Sequence, residues 1–106
     1  MYTLVYNSRV FKVAFTEIFE KWVSKLRDRR ARSIIQHTID MMVEGNLTNT
    51  RNVGDGIWEK KINHGPGYRL YYFRNKGDWI ILICGGDKST QQADIEKAKV
   101  IKKEWQ

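Results

Sequence analysis

Residues 65–73 read GPGYRLYYF, and residues 79–84 read WIILIC. The Gly-Pro-Gly turn leads into aromatic and apolar residues that are typical of a β-strand. The second run is apolar on both faces, which predicts the central strand of a sheet. Between the two runs, Gly77 supplies a hairpin turn. Arg69 places a permanent positive charge inside this hairpin, and the role of that charge is the first question that the sequence raises.

The segments around the hairpin add further strands and helices. Residues 57–63 (IWEKKIN) and 10–15 (VFKVAF) predict two more strands. Between them, apolar residues recur at three- and four-residue steps and predict two helices, capped by Thr16 and Asp28. A C-terminal helix is predicted to begin at the capping sequence STQQ, residues 89–92. The predicted order is therefore β-α-α-β-β-β-α.

This order predicts an α+β fold, with a small, mostly antiparallel sheet and a helical hairpin on one face. We expect residues 1–106 to form one domain, in which residues 1–9 are either an additional strand or an ordered tail. Apolar residues make up 42% of the chain and charged residues 29%, which argues against disorder. The longest apolar run is too short to span a bilayer, and the first residues predict no signal peptide. The single cysteine, Cys84, is expected to be buried in a protein of the reducing cytoplasm.

The charge of the chain favours a polyanionic partner. Nineteen Lys and Arg residues against twelve Asp and Glu residues give a net charge of +7. A small domain with this balance is expected to bind RNA or DNA first and an acidic protein second. The alternative is a basic surface that only keeps the protein in solution. The position of Arg69 within a strand favours the first interpretation.

Alternation along the GPGYRLYYF strand separates its charge from its apolar side chains. Arg69 and Tyr71 lie on the face opposite Leu70. If Leu70 meets the helices, Arg69 points to an uncovered face, with Lys61 and Glu59 of the preceding strand beside it. Lys88 follows the last strand close by. The sequence therefore predicts a cationic, solvent-facing surface on the open side of the sheet.

Five segments of the chain resemble, in order, the addiction-module killer proteins of the HigB-like branch of the bacterial RelE/ParE toxin superfamily. These are WVSKLRDRRAR (22–32), EGN (44–46), VGDGIWEKKI (53–62), GPGYRLYY (65–72) and GGDKSTQQADI (85–95). The resemblance runs from about residue 11 to residue 105 and implies a RelE-like fold. It also implies the toxin of a type II toxin–antitoxin module, inhibited by a cognate helix-turn-helix antitoxin that mediates any contact with operator DNA.

The resemblance further implies an activity. Characterised RelE- and HigB-like toxins cut mRNA on the ribosome without a metal ion, so we expect an endoribonuclease of the bacterial cytoplasm that inhibits translation and needs no cofactor. Carried over to this chain, the basic residues of the open face are Arg69, Lys61 and Lys88. A fixed cation stabilises the extra charge of the transition state, and Arg69 suits this role because its planar fork binds phosphate oxygens in pairs. Lys61 or Lys88 is then the general acid or base.

Each catalytic assignment has a structural alternative. Arg69 is either a phosphate ligand or the ion-pair partner of Glu59. Lys61 is either a phosphate ligand or an ordinary exposed lysine, and Lys88 either acts on the substrate or neutralises a neighbouring aspartate. His64, in the loop before the strand, is a further candidate for a general base, although loop histidines are usually only exposed. The two histidines of the chain form no recognisable metal site.

Other residues are candidates for RNA binding. The sequence RDRRAR places four arginines at the joint of the helical hairpin, where they either contact the RNA backbone or form an exposed helix start. These are Arg27, Arg29, Arg30 and Arg32. Arg51 is a further basic candidate. Tyr71, on the face of Arg69, either stacks on a base or supports its neighbours.

Two departures from the resembled family keep other functions open. Some RelE toxins carry a tyrosine near the end of the chain that assists cleavage, whereas this region reads QQADI. Lys60 stands where relatives usually have an apolar residue. The alternatives are a ParE-like poison of DNA gyrase and a noncatalytic basic module that binds RNA or the antitoxin. Mapping mRNA ends during induced expression would separate the three hypotheses.

Overall fold

The computed structural model describes the backbone of residues 2–7 and the whole of residues 10–105. The described residues form six strands, three α-helices and one 3-10 turn. In chain order these are β1 (Tyr2–Asn7), β2 (Lys12–Thr16), α1 (Glu17–Lys25), α2 (Arg29–Val43), β3 (Thr50–Gly54), β4 (Ile57–Ile62), β5 (Tyr68–Asn75), β6 (Trp79–Gly86), the turn Lys88–Thr90 and α3 (Gln91–Trp105). The strands form one sheet in the order β1-β2-β6-β5-β4-β3. Only the β2–β6 pair is parallel among these neighbours.

The α+β class and the mostly antiparallel sheet are confirmed, but the predicted element order is incomplete. β1 pairs with β2, so residues 2–7 add a strand; residues 1, 8 and 9 of the expected extension lie outside the described residues. β3 was not predicted. Its sequence, TRNVG, has no buried side chain, because it is an edge strand that pairs only with β4. Such a strand shows no apolar alternation for a sequence pattern to detect.

The predicted helix starts are confirmed for α1 and α2 and wrong for α3. Thr16 Oγ1 accepts from the Phe19 N–H at 3.1 Å, and Asp28 Oδ1 accepts from the N–H groups of Arg30 and Ala31. At the third helix, Asp87 rather than a residue of STQQ is the cap, since its Oδ1 accepts from the Ser89 N–H at 2.8 Å. This capped 3-10 turn precedes α3, which begins at Gln91.

The helical hairpin packs on one face of the sheet, as predicted. Phe19, Ile35 and Met42 of the hairpin are buried against Leu70 and Leu82 of the central strands. Trp22 of α1 closes this cluster at its edge, with its ring 6.1 Å from that of Tyr68. The Lys60 side chain is also buried, and its ammonium donates to the carbonyl of Thr48. Burial lowers the pKa of this lysine.

The expectation that the second face is uncovered is wrong. α3 packs against it, where Ile95 and Ala98 are buried with Tyr71, Phe73 and Ile83. The physical reason is that β5 and β6 carry apolar or aromatic side chains on both faces, and the apolar side of α3 must also be buried. α3 does not cover the whole face, and the residues before it leave a cleft above β4 and β5. No helix within residues 2–7 and 10–105 has the length and hydropathy needed to cross a membrane.

Candidate functional site

The cleft beside the first turn of α3 has a volume of about 340 Å³. It is lined by Asn49, Thr50, Arg51, Glu59, Lys61, Arg69 and Gln91. Strand register explains this grouping. Arg51 of β3 faces Glu59 of β4, and Lys61 of β4 faces Arg69 of β5. Two neighbouring rows of the sheet therefore supply three cations and one carboxylate to a single cleft.

Arg69 is the most unusual member of this group. Only 6% of the residue is exposed, although it carries a permanent charge. Its Nη1 donates to the carbonyl of Gly67, while its Nε is buried and has no hydrogen-bond partner among the described residues. Buried polar groups in proteins are nearly always paired, and an unpaired one is costly. The guanidinium thus lies in a cleft with an unmet donor.

The Gly-Pro-Gly turn shapes the position of this guanidinium. Gly67 has a φ of +80°, which other residues rarely adopt, and its carbonyl accepts the hydrogen bond from Arg69. A Cβ atom on Gly67 would lie only 2.8 Å from Arg69 Nη1. Position 67 therefore needs glycine for two reasons, its backbone conformation and the close approach of the arginine.

Lys88 lies next to this turn rather than in the cleft lining. Its N–H donates to the carbonyl of Pro66 at 3.4 Å, and its exposed side chain starts close to Gly67. It does not neutralise Asp87 by a salt bridge, since that carboxylate bonds to Ser89 instead. Hydrogen bonding to Ser89, with a contribution from the charge of Arg69, lowers the Asp87 pKa. Of the three predicted cations, the cleft joins Lys61 and Arg69, and Lys88 stands at its border.

Glu59 organises the other end of the cleft. It is only 3% exposed and accepts hydrogen bonds from Arg51 Nε at 2.8 Å, Gln91 Nε2 at 2.8 Å and the Tyr71 hydroxyl at 3.1 Å. Burial alone would raise the Glu59 pKa, but the bonds from Arg51, Gln91 and Tyr71 lower it below its ordinary value. The alternative of an Arg69–Glu59 ion pair is therefore wrong, because Arg51 is the ion-pair partner of this carboxylate.

The prediction that Tyr71 stacks on a base is wrong in this structure. Its ring is fully buried beneath α3, and burial together with the charge of Glu59 raises the pKa of its hydroxyl. Tyr71 instead supports Glu59, which was the second interpretation of the sequence. Arg51, by contrast, lies at the mouth of the cleft with 62% of its side chain exposed. It is available to a ligand there.

His64 lies outside the cleft, on the hairpin side of the sheet. Its Nε2 is 3.0 Å from Asp28 Oδ2, and its ring stacks on Tyr68 with centroids 6.4 Å apart. The hydrogen bond with His64 lowers the Asp28 pKa. Because Asp28 also caps α2, His64 joins the loop before β5 to the helical hairpin. This position does not agree with a role as the general base beside Arg69.

The four arginines of RDRRAR divide into two groups. Arg27, Arg29 and Arg30 are exposed. Arg32 is half-buried and donates from Nη1 to the carbonyl of Leu26, the residue that ends α1. Arg32 therefore stabilises the joint of the hairpin, while the other three are available to a phosphate backbone.

The glycine pair at the end of β6 and the cysteine before it serve packing. A Cβ on Gly85 would lie 2.3 Å from the Trp22 ring, and one on Gly86 would lie 1.8 Å from Asp94 Oδ2. Both glycines are thus covered by side chains. Cys84 is buried as predicted, and burial raises its thiol pKa to about 12. Within the part of the chain that the structure describes, no group of three His, Cys, Asp or Glu side chains could hold a metal ion.

Sequence reasoning missed two features of the cleft. The sequence indicates Gln91 only as part of a helix cap, yet its side chain lines the cleft and holds Glu59. Asn49 and Thr50 carry no local signal, because β3 is a polar edge strand without buried side chains. Glu59 was placed on the correct face from its two-residue spacing to Lys61, and this spacing was the available signal that a carboxylate belongs to the site.

Comparisons with known proteins assign the chain to a family. The sequence profile of the family described as "Phage derived protein Gp49-like (DUF891)" matches residues 21–106, which include every residue of the cleft lining. An uncharacterized protein of Haemophilus influenzae is 42% identical over 93 residues, which cover 88% of this chain and 94% of that protein. The chain therefore belongs to the Gp49-like family of phage-derived proteins, a family of addiction-module toxins of the RelE/HigB-like type.

Proposed function

We propose that this chain is the toxin of a type II toxin–antitoxin module, of the HigB-like branch, and that it inhibits translation in the bacterial cytoplasm by cutting mRNA on the ribosome. The observation that carries the proposal is the buried guanidinium of Arg69, with its unpartnered Nε, in a cleft beside Lys61. Family membership supports the toxin, and the cleft supports the ribonuclease. The net charge of +7 agrees with an RNA substrate.

Arg69 fits the phosphate between two nucleotides. Among the described residues, no carboxylate forms a salt bridge with this guanidinium, since Glu59 pairs with Arg51 and the Asp87 carboxylate bonds to Ser89. A phosphodiester in the cleft would offset the cost of burying the cation, and its two free oxygens match the paired donors of an arginine. Its oxygens gain negative charge in the transition state, so a cation already held in place stabilises that state most.

The proposed reaction uses the RNA's own 2′-hydroxyl as nucleophile. The 2′-oxygen loses its proton and attacks the adjacent phosphorus, and the bond from phosphorus to the 5′-oxygen of the next nucleotide breaks. The products are a 2′,3′-cyclic phosphate and a 5′-hydroxyl, so one proton leaves the 2′-oxygen and one is added to the 5′-oxygen. We assign to Lys61, exposed and directly opposite Arg69 in the β4–β5 register, the exchange of one of these protons, and water exchanges the other. Lys88 at the border of the cleft is placed to bind the adjoining phosphate.

Glu59 is not the base in this scheme. Its carboxylate already accepts from three donors, and its lowered pKa makes it a weak proton acceptor. We assign it a positioning role. The exposed arginines of the hairpin, Arg27, Arg29 and Arg30, lie away from the cleft and are proposed to contact the ribosomal RNA backbone. The partner that inhibits the toxin is proposed to be a helix-turn-helix antitoxin, which alone contacts operator DNA.

Induced expression with mapping of mRNA 5′ ends tests the proposal. The wild-type chain is expected to arrest growth and to produce cuts in translated messages that are in phase with codons. Arg69→Ala is expected to abolish nearly all of these cuts, and Lys88→Ala to reduce them. Arg74→Ala, at an exposed position of β5 outside the cleft lining, serves as the matched control for loss of one arginine.

The same experiment separates the alternatives. Intact messages together with DNA breaks that depend on gyrase would overturn the ribonuclease and favour the gyrase poison. Absence of growth arrest with a folded wild-type chain would favour the noncatalytic module. Cuts of equal frequency in wild type and Arg69→Ala would show that the cleavage does not use this cleft.

A further inference from the structure

We propose that Gln91 and Arg51, held side by side by Glu59, read the base of the nucleotide whose phosphate lies on Arg69, and that they select guanine or cytosine over adenine or uracil. This inference rests on the proposed ribonuclease function and adds a determinant of its specificity. It starts from the shared carboxylate. Arg51 Nε bonds to Glu59 Oε1 and Gln91 Nε2 bonds to Glu59 Oε2, both at 2.8 Å.

The carboxylate fixes which way the Gln91 amide faces. An ionised carboxylate only accepts hydrogen bonds, so the amide nitrogen must be the atom that faces Glu59. The Gln91 Oε1 is then turned away from Glu59, and it makes no hydrogen bond within the described residues. Because Gln91 lines the cleft, this oxygen is available to accept from a ligand there.

The same carboxylate orients Arg51. Its Nε is used by Glu59, which leaves the donors of the two Nη groups for a ligand at the mouth of the cleft. Glu59 itself cannot shift easily, because it is 3% exposed and also accepts from the buried Tyr71 hydroxyl. The cleft therefore presents the two Nη donor groups of Arg51 next to the Oε1 acceptor of Gln91. Glu59 positions both side chains and is itself fixed by the buried Tyr71 hydroxyl.

This pattern matches two of the four RNA bases. It requires a base edge with two adjacent acceptors followed by a donor. Guanine offers N7, O6 and N1–H in that order, and cytosine offers O2, N3 and N4–H. Adenine and uracil alternate acceptor, donor, acceptor along the corresponding edges, so one Arg51 donor and the Gln91 acceptor are each opposed to a like group. A polar group that a bound base shields from water without offering it a hydrogen bond is disfavoured.

The sequences around mapped cuts test this inference. Wild type is expected to cut at least about fivefold more often where guanine or cytosine occupies one defined position beside the scissile phosphate, since about fivefold is the effect of a single hydrogen bond. Gln91→Ala is expected to lose most of this preference while it still cuts. Gln92→Ala, a change of the exposed neighbouring glutamine, is the matched control and is expected to keep the preference. Thermal unfolding of each purified variant shows that the fold is retained.

The outcomes distinguish this inference from the function on which it rests. Cutting by wild type that favours adenine or uracil, or a preference that Gln91→Ala leaves unchanged, would overturn the role of Gln91 and leave the ribonuclease intact. If Gln91→Ala fails to fold, Arg51→Ala carries the same test, because it removes the two donors from an exposed position. Absence of cutting by the wild-type chain would overturn both proposals together.

Discussion

Glu59 and Arg69 are both charged, both nearly buried and both on the α3 side of the sheet, but their surroundings differ. Glu59 is 3% exposed and receives three hydrogen bonds, one of them from the guanidinium of Arg51. Arg69 is 6% exposed and bonds only to the backbone carbonyl of Gly67, with its Nε unpartnered among the described residues. The buried carboxylate of Glu59 is thus fully hydrogen-bonded, whereas the buried guanidinium of Arg69 keeps one unpaired donor.

The difference separates a structural charge from a binding charge. A buried ion that is fully paired is part of the framework, and removing it leaves its partners without hydrogen bonds. A buried ion with an unmet donor lowers the stability of the free protein, and only a ligand that supplies an anion recovers that cost. Glu59 is therefore expected to matter most for stability and Arg69 most for activity. Mutations at these positions test the contrast.

The largest effect is expected for Arg69→Met, which removes the charge while filling a similar space. We expect the frequency of mRNA cuts to fall by about 10²–10³-fold, the usual cost of losing one donor to a transition-state oxyanion. Because the unmet donor is also removed, the free energy of unfolding is expected to stay the same or to rise by about 1 kcal/mol. Urea unfolding and end mapping measure the two quantities. A large loss of stability would contradict the assignment of Arg69 as a binding charge.

The second effect concerns the two candidates for proton transfer. Lys61→Ala is expected to lower cutting by about 10²-fold, the lower end for loss of a general acid or base. His64→Ala is the matched comparison, because it removes a titratable side chain that is close in sequence but outside the cleft. We expect it to change cutting by less than about twofold, a small effect beside the range for a true acid or base. If end mapping showed a larger loss of cuts for His64→Ala than for Lys61→Ala, His64 and not Lys61 would be the group that transfers the proton.

The third effect tests Glu59 as framework. Glu59→Ala is expected to lower the free energy of unfolding by about 2 kcal/mol, because it leaves the buried Tyr71 hydroxyl without its acceptor. In a Tyr71→Phe background the same change is expected to cost about 1 kcal/mol less, since the hydroxyl is already absent. Urea unfolding of the four proteins gives the coupling. Additive effects would mean that the two side chains do not share a hydrogen bond.

The smallest effect is a dependence of stability on pH. The Glu59 pKa is lowered in the folded protein from an ordinary value of 4.5, so its contribution to stability is complete above pH 4.5. It is lost as the pH falls through the folded pKa, below 4.5, because the unfolded chain binds the proton first. Between about pH 5 and pH 3, the free energy of unfolding is expected to fall less for Glu59→Gln than for wild type. Asp28 and Asp87, whose pKa values are also lowered, contribute equally in both proteins. If the free energies of unfolding of the two proteins, measured with urea, changed in parallel with pH, the claim that Glu59 is ionised in the folded protein would be contradicted.

Much of the fold was predictable because it depends on local patterns. The caps Thr16 and Asp28, the apolar stripes of α1 and α2, and the alternation that separates Leu70 from Arg69 are all properties of neighbouring residues. The strand β3 was not predictable in this way, since it is a polar edge strand specified by its pairing with β4.

The site was predictable only in part for a related reason. Strand spacing placed Arg69, Lys61 and Glu59 on one face, but the side that α3 covers depends on how the whole chain packs. That packing buries Tyr71 and brings Gln91 to Glu59 across 32 positions of sequence. The link between His64 and Asp28 spans 36 positions and likewise leaves no local signature. Long-range contacts thus decide which polar residues enter the cleft.

The central claim is that the Arg69 guanidinium is the part of the cleft that binds the phosphate of RNA. The most direct measurement is the NMR signal of the Arg69 Nε–H group, assigned by its loss in Arg69→Lys, during titration with a dinucleotide that carries a 2′-deoxy sugar and cannot be cut. The claim predicts that this signal shifts and saturates together with binding. A signal that stays in place while the hairpin arginines respond would contradict it.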